Sequence, residues 1–264
     1  MFSLDELESL FFQILEDLKE YLADLTLVGG WLAYIYTKFL WDEVHVKPVT
    51  TVDVDFGFGK VKKTYSKTLF DSLKTLDYEE HHISIGKLFP VVLYKRGKIP
   101  IEFITFPEVS NDVVEKFIGS QIHCYKIEGF NFLLKHRILI DVTAKKQKSA
   151  YRIFCPKPSA FLYQKGAGFI DRETDQAKAK DLHYMYFVLR YAPEIGNILN
   201  EVIQYKKRGY FKNIQENLNK YFENKSSQGC LMVEKEHGPD DYIENLREDI
   251  FERFGTLREL FKNR

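Results

Sequence analysis

The chain has little of what marks a secreted, fibrous or membrane-spanning protein. Its three cysteines, Cys124, Cys155 and Cys230, are odd in number and widely scattered. That excludes a disulfide scaffold and a cysteine metal knuckle, and predicts free thiols in a reducing compartment. No apolar run approaches the roughly 20 residues of a membrane span. The opening stretch, residues 1–22, carries acids throughout and no basic leader, so it does not read as a signal peptide. A cytoplasmic protein with no membrane partner is the expectation. Neither sign of charge dominates: Lys+Arg and Asp+Glu are 38 each. No global field therefore points to a large polyanion. There is no internal repeat and no low-complexity tract.

Apolar residues, by contrast, are plentiful. They make up 45% of the 264 residues, with 22 Phe and 16 Tyr. That suffices for a large core in one large or two moderate domains. Periodicity divides the chain. Residues 3–22 repeat apolar positions at helical spacing, and Ser3 with Glu6 has the form of a capping box. A short strand, 26–28, runs into Gly29 and Gly30, and 31–40 reads as a buried helix. After a loop, 41–50, a strand is expected over 51–58 and a helix over 65–76. Strands follow through 81–106, with a hairpin at Lys95, Arg96, Gly97 and Lys98. Shorter strands and a helix near 128–137 continue to Pro156 and Pro158, which mark a boundary. From Ser159, an expected N-cap, the period is helical: a first helix, then 176–191, 194–208 and 210–223. Residues 225–229 read as a linker and 239–262 as a charged last helix. The fold class is α+β, a mixed sheet with flanking helices over 1–157 and a helical domain over 158–264.

The chemistry concentrates around two stretches. Leu27, Val28, Gly29 and Gly30 end an apolar strand in two glycines at a helix start, where backbone N–H groups suit phosphate. Asp53 and Asp55 stand one residue apart on the next strand, on one face, with Val52, Val54 and Phe56 turned to the core. Like charges side by side on a strand repel, and a hard divalent cation such as Mg²⁺ removes the conflict. Glu102, between Ile101 and Phe103, is the third carboxylate a two-metal site needs. Asp141 is a weaker rival for that place. Lys60, Lys62, Lys63 and Lys67 either face phosphate or solvate a loop and a helix start, and residues 60–67 with Lys206, Lys207 and Arg208 offer a local basic patch. Trp31 and Trp41 read as packing, and His81, His82, His123, His136 and His183 have no ligand spacing.

In this order the motifs resemble the nucleotidyltransferase superfamily of the DNA polymerase β type. Its mark is a strand ending in Gly-Gly or Gly-Ser, a helix, an Asp-x-Asp strand and a third acid on a later strand. The second half is similar to the small bacterial branch that includes abortive-infection toxins. The matching positions are Lys165, then Arg172, then Lys180-Asp181-Leu182. The resemblance spans roughly 25–190. It implies transfer of a nucleoside monophosphate from an NTP to an RNA, protein or small-molecule acceptor, with Mg²⁺ as cofactor. Asp53, Asp55 and Glu102 would be the metal-binding and catalytic residues. Gly29, Gly30, Lys165, Lys180 and Asp181 would bind the nucleotide. A toxin-like role with an antitoxin or regulatory partner follows from the same likeness. Three departures stand against the pattern. Gly30 occupies the usual serine position, 42–48 looks like an insertion, and Tyr184 stands where a second Asp is common. The alternatives are a nucleotide-binding module of weak catalysis and a structural α+β protein with incidental carboxylates.

Overall fold

The computed structural model describes residues 3–42, 51–83, 91–96, 99–120, 122, 124–144, 149–205, 211–237 and 242–262. The expected loop beyond residue 42 and His123 lie outside them. Contacts divide the chain into two compact units, Met1–Ile35 with Thr50–Pro156, and Tyr36–Val49 with Lys157–Arg264. The boundary at Pro156 coincides with the change of period, but the segment from Tyr36 groups with the helices rather than with the sheet around it.

The first unit begins with the capping box. The Glu6 N–H donates to Ser3 Oγ at 3.2 Å, and the Ser3 N–H donates to the Glu6 carboxylate at 2.8 Å. Helix α1 (Leu4–Asp17) buries Leu7, Phe11, Phe12, Ile14 and Leu15 and stops short of the expected end, the chain turning through 18–24. Strand β1 (Leu25–Val28) is buried throughout. It leads through the two glycines into α2 (Trp31–Ile35). Strand β2 (Val54–Phe58) is shorter than 51–58, so Asp53 lies one residue before it. Val52, expected in the core, is 46% exposed for the same reason: outside the ladder, alternation no longer fixes its side.

Helix α3 (Leu69–Lys74) starts at a second capping box, Thr68 with Asp71. Strands β3 (Glu79–Ile83), β4 (Val91–Arg96) and β5 (Ile99–Thr105) follow, β4 and β5 pairing antiparallel as the hairpin signal predicts. Then come α4 (Asn111–Phe117), β6 (Tyr125–Lys126), α5 (Asn131–Lys135), β7 (Arg137–Thr143) and β8 (Ala150–Pro156). The eight strands form one mixed sheet in the order β3-β4-β5-β2-β1-β8-β7, with β6 added to β5. The two central pairings β2–β5 and β1–β8 are parallel, while β1–β2 is antiparallel. The alternation of β5 buries Ile99, Ile101, Phe103 and Thr105 on one face and leaves Glu102 half-buried on the other.

In the second unit, five residues from Tyr36 to Leu40 form a π-turn, closed where the Trp41 N–H donates to the Tyr36 carbonyl at 2.8 Å. The expected helix 31–40 is thus an α-turn that widens. Tyr36 meets Phe161 edge-on at 6.1 Å, and Trp41 stacks on Phe187 at 6.3 Å. Helix α6 (Pro158–Gly168) is capped by Lys157 with Pro158 at its first position, where a missing N–H costs nothing. Ser159, expected as the cap, is inside the helix and buried, its hydroxyl donating to Glu201. Helix α7 (Asp175–Tyr191) is capped by Thr174. Helices α8 (Ile195–Gln204), α9 (Phe211–Tyr221), α10 (Gln228–His237) and α11 (Leu246–Lys262) complete the unit.

Helix α10 is absent from the sequence reading, which takes 225–229 for a linker. Gly229 is there for close packing: an added Cβ would lie 2.5 Å from the Tyr221 carbonyl and 2.6 Å from the Phe222 ring. The helix also gives His183 a partner, the ring of His237 at 3.2 Å. All three cysteines are buried free thiols. Among the described residues no helix is long and apolar enough to cross a membrane.

Candidate active site

The turn between β1 and α2 is built on Gly29, whose φ of +74° is one that L side chains rarely adopt. Strand β2 lies beside it. A Cβ at Gly29 would stand 1.9 Å from Asp55 Oδ2, so the Asp55 carboxylate occupies the space that any larger residue would need. The register explains this closeness, because Val28 pairs with Asp55 across β1–β2.

On its other side Asp55 pairs with Glu102 across the parallel β2–β5 ladder. Paired residues share a face, so Asp55 and Glu102 stand side by side on it. Asp53 is close enough to act on Glu102 as well. Burial, and then the Asp53 charge, hold the Glu102 carboxyl above the ordinary carboxylate range. Asp55 thus has Glu102 beside it on the sheet and Gly29 against its carboxylate, and the charge of Asp53 reaches Glu102. Asp141 is elsewhere, on β7 at the sheet edge, exposed and paired with Arg152 at 3.2 Å.

Three residues of this face escaped the sequence reading. Tyr125 pairs with Ile104 across β5–β6, which puts it on the side of the sheet that carries Glu102. Burial and then the charges of Glu102 and Asp55 push its phenol up, so it stays protonated beside them. Phe130 covers Gly57, two residues along β2 from Asp55, where an added Cβ would lie 2.3 Å from the ring. Arg137 supplies a cation, donating to Thr26 Oγ1 at 2.7 Å with its guanidinium 4.0 Å over the Phe154 ring. The legible signal for Phe130 was the pair Gly57 and Gly59. Glycine inside an apolar strand marks a close approach, here by Phe130 and Leu134.

The remaining expected residues are in the helical unit. Lys165, on α6, is buried and bonded to Asp181, on α7. Arg172 donates to the other Asp181 oxygen at 2.7 Å. Burial alone would raise the Asp181 carboxyl, but Lys165 and Arg172 outweigh it and hold it below the ordinary range. Lys180 is half-buried on α7. Among the described residues no three or more His, Cys, Asp or Glu side chains are grouped so that they could hold a metal ion by themselves.

A strand that sets Asp55 between a Gly-Gly turn and Glu102 of its parallel neighbour, with Asp53 just before it, is the feature to compare with known proteins. A nucleotidyltransferase family model matches residues 11–197, which takes in the turn, the three carboxylates, α6 and α7. The chain belongs to this nucleotidyltransferase family. Among solved structures it is similar to an antigenic nucleotidyltransferase-like protein from Paracoccidioides brasiliensis. Identity is 15% over 80% of this chain and 93% of that one, with a TM-score of 0.42. No curated protein matches the chain.

Proposed function

We propose that the carboxylate face binds an NTP with Mg²⁺ and transfers its nucleoside monophosphate to an acceptor hydroxyl, releasing pyrophosphate. The observation that carries this reading is the position of Asp55. It is in register with Glu102 on one side, and its carboxylate lies against Gly29 on the other. Three half-buried oxygen donors suit a hard cation, and Mg²⁺ is commonly held by one or two carboxylates plus substrate phosphates rather than by an all-protein cage. Asp53, Asp55 and Glu102 would hold it, and when bound it neutralises phosphate charge and makes the acceptor hydroxyl more acidic.

The acceptor oxygen attacks the α-phosphorus as the bond to the bridging oxygen of the leaving pyrophosphate breaks. Glu102, with its raised carboxyl, accepts the hydroxyl proton. Backbone N–H groups at Gly29 and Gly30 hold the phosphates. With glycine at 30, no side-chain hydroxyl assists them. The nucleotide-binding role of Lys165, Lys180 and Asp181 rests on the likeness of the second half, and within the helical unit Asp181 fixes the heads of Lys165 and Arg172. A toxin-like role with an antitoxin partner rests on the likeness of the second half alone.

The test is incubation of the full chain with Mg²⁺, each labelled NTP, and total RNA or small hydroxylic acceptors in separate arms. Label should appear in one acceptor class, and Asp53→Ala should lower transfer about 100-fold or more, the loss of several kcal/mol of charge stabilisation. Undiminished transfer in Asp53→Ala overturns the assignment. NTP-dependent thermal stabilisation without transfer to any acceptor would instead make the chain a binding module.

A further inference from the structure

The loop that follows β2 is held in shape by one buried carboxylate. Asp24, 4% exposed, accepts the backbone N–H of Lys62 at 2.9 Å and of Lys63 at 3.3 Å. It also accepts the Tyr65 phenol at 2.7 Å. The Tyr65 ring stacks on Tyr21 at 4.7 Å and leans on Phe117 at 5.4 Å. A loop tied down this way cannot reshape itself to bury or pair its side chains. On it Lys60, Lys62, Lys63 and Lys67 are all exposed, and none is ion-paired among the described residues. Exposed lysines elsewhere are mostly single: Lys19, Lys116, Lys225 and Lys262 each sit on a carboxylate, and Lys135, Lys220 and Lys235, without an ion pair among the described residues, stand apart from one another in the sequence. In a chain of zero formal net charge, four lysines against the one Asp24 carboxylate leave a local excess of three positive charges on a fixed frame.

We propose that residues 60–67 are a docking surface for the phosphate backbone of a single-stranded nucleic acid, the acceptor of the transfer reaction. The inference rests on the nucleotidyl-transfer reading for its last clause only. Lysine is a point-charge donor without the fork that reads bases, so the surface grips phosphates and ignores sequence. Its place in the fold fits an acceptor. Asp55 lies toward the start of β2 and Lys60 just past its end, at most about 16 Å of extended chain apart. A strand gripped by the loop therefore has its continuation within reach of the carboxylates. A lipid surface fits less well, because stable interfacial binding also needs apolar side chains to insert. None of the exposed large hydrophobic residues falls within 59–68.

The experiment is fluorescence anisotropy of a labelled single-stranded oligonucleotide of mixed sequence, as RNA and as DNA, with the full chain. Four phosphate contacts predict a log–log salt slope of about −2.8. Replacing Lys60, Lys62, Lys63 and Lys67 together by Ala should weaken binding at low salt at least about tenfold and flatten the slope toward zero. Asp24→Asn keeps every lysine but loosens the frame, and should weaken binding too. Binding of RNA and DNA alike supports a pure backbone grip. Binding of RNA alone supports it with an added contact to the 2′-hydroxyl. The proposal is overturned by unchanged binding in the quadruple variant. It is equally overturned if polyglutamate or anionic vesicles bind as tightly with the same lysine dependence. The two readings fail separately. Lysine-dependent binding without label transfer removes the enzyme reading and leaves the docking surface. Transfer whose acceptor KM is untouched by the quadruple variant does the reverse.

Discussion

At the scale of single residues, the tightest constraint in the site unit falls on Gly29. Alanine there adopts the left-handed region at about 1–2 kcal/mol, and its Cβ must also displace the Asp55 carboxylate, which stands 1.9 Å away. Gly29→Ala should therefore lose at least that much stability in urea denaturation and should lose transferase activity with it. The contrast is Gly196, in α8, where nothing lies within 4 Å of an added Cβ. Gly196→Ala should gain about 0.5–1 kcal/mol and leave activity alone. The carboxylates themselves were legible from spacing and order, since Asp55 and Glu102 sit in apolar strands where acids are conspicuous and Asp53 stands just before the first of them. Tyr125 was not, because its place depends on a two-residue strand added beside β5, and nothing in so short a segment announces a partner.

Among the elements, α5 packs over the face that carries the carboxylates. Phe130, at its N-terminal edge, lies over Gly57. Gly57→Ala should overpack this contact at about 1–3 kcal/mol. Because the ring that must move covers the same face as Asp55, nucleotide binding should weaken as well. A thermal melt with and without NTP separates the two effects. Strands and hairpins that alternate strictly, such as β5, were readable because one face is buried and the other is not. Helix ends were less so. Both the π-turn after α2 and the start of α10 depend on what packs against them. Residues 36–40 widen where Tyr36 turns to Phe161, and Gly229 belongs to a helix because Tyr221 and Phe222 press on it. Neither cause is local in sequence, so turn chemistry alone misreads 225–229 as a linker.

For the molecule as a whole, acid is the telling perturbant. Asp181 is held below the ordinary carboxylate range in the folded chain, so its stabilising contribution is fully present above the unfolded value. That contribution is lost as pH falls through the lower, folded value. Near neutral pH, Asp181→Asn should cost about 3–5 kcal/mol by leaving Lys165 buried without its partner. The variant should also show a flatter loss of stability on acidification than the parent chain, as denaturant titrations across the acid range will read. Parallel acid lines in the two proteins would mean that the pair does not carry the dependence.

The grouping of Tyr36 with the helical unit has a consequence for how the chain is made. Phe161, which meets Tyr36, and Phe187, which stacks on Trp41, leave the ribosome more than a hundred residues later, at about 5–20 residues per second. Until then the π-turn and Trp41 lack these two ring contacts. The sheet must form around a segment whose own partners do not yet exist. No single cut separates the two units, and a fragment ending at Pro156 would leave Tyr36 and Trp41 as an apolar surface facing water.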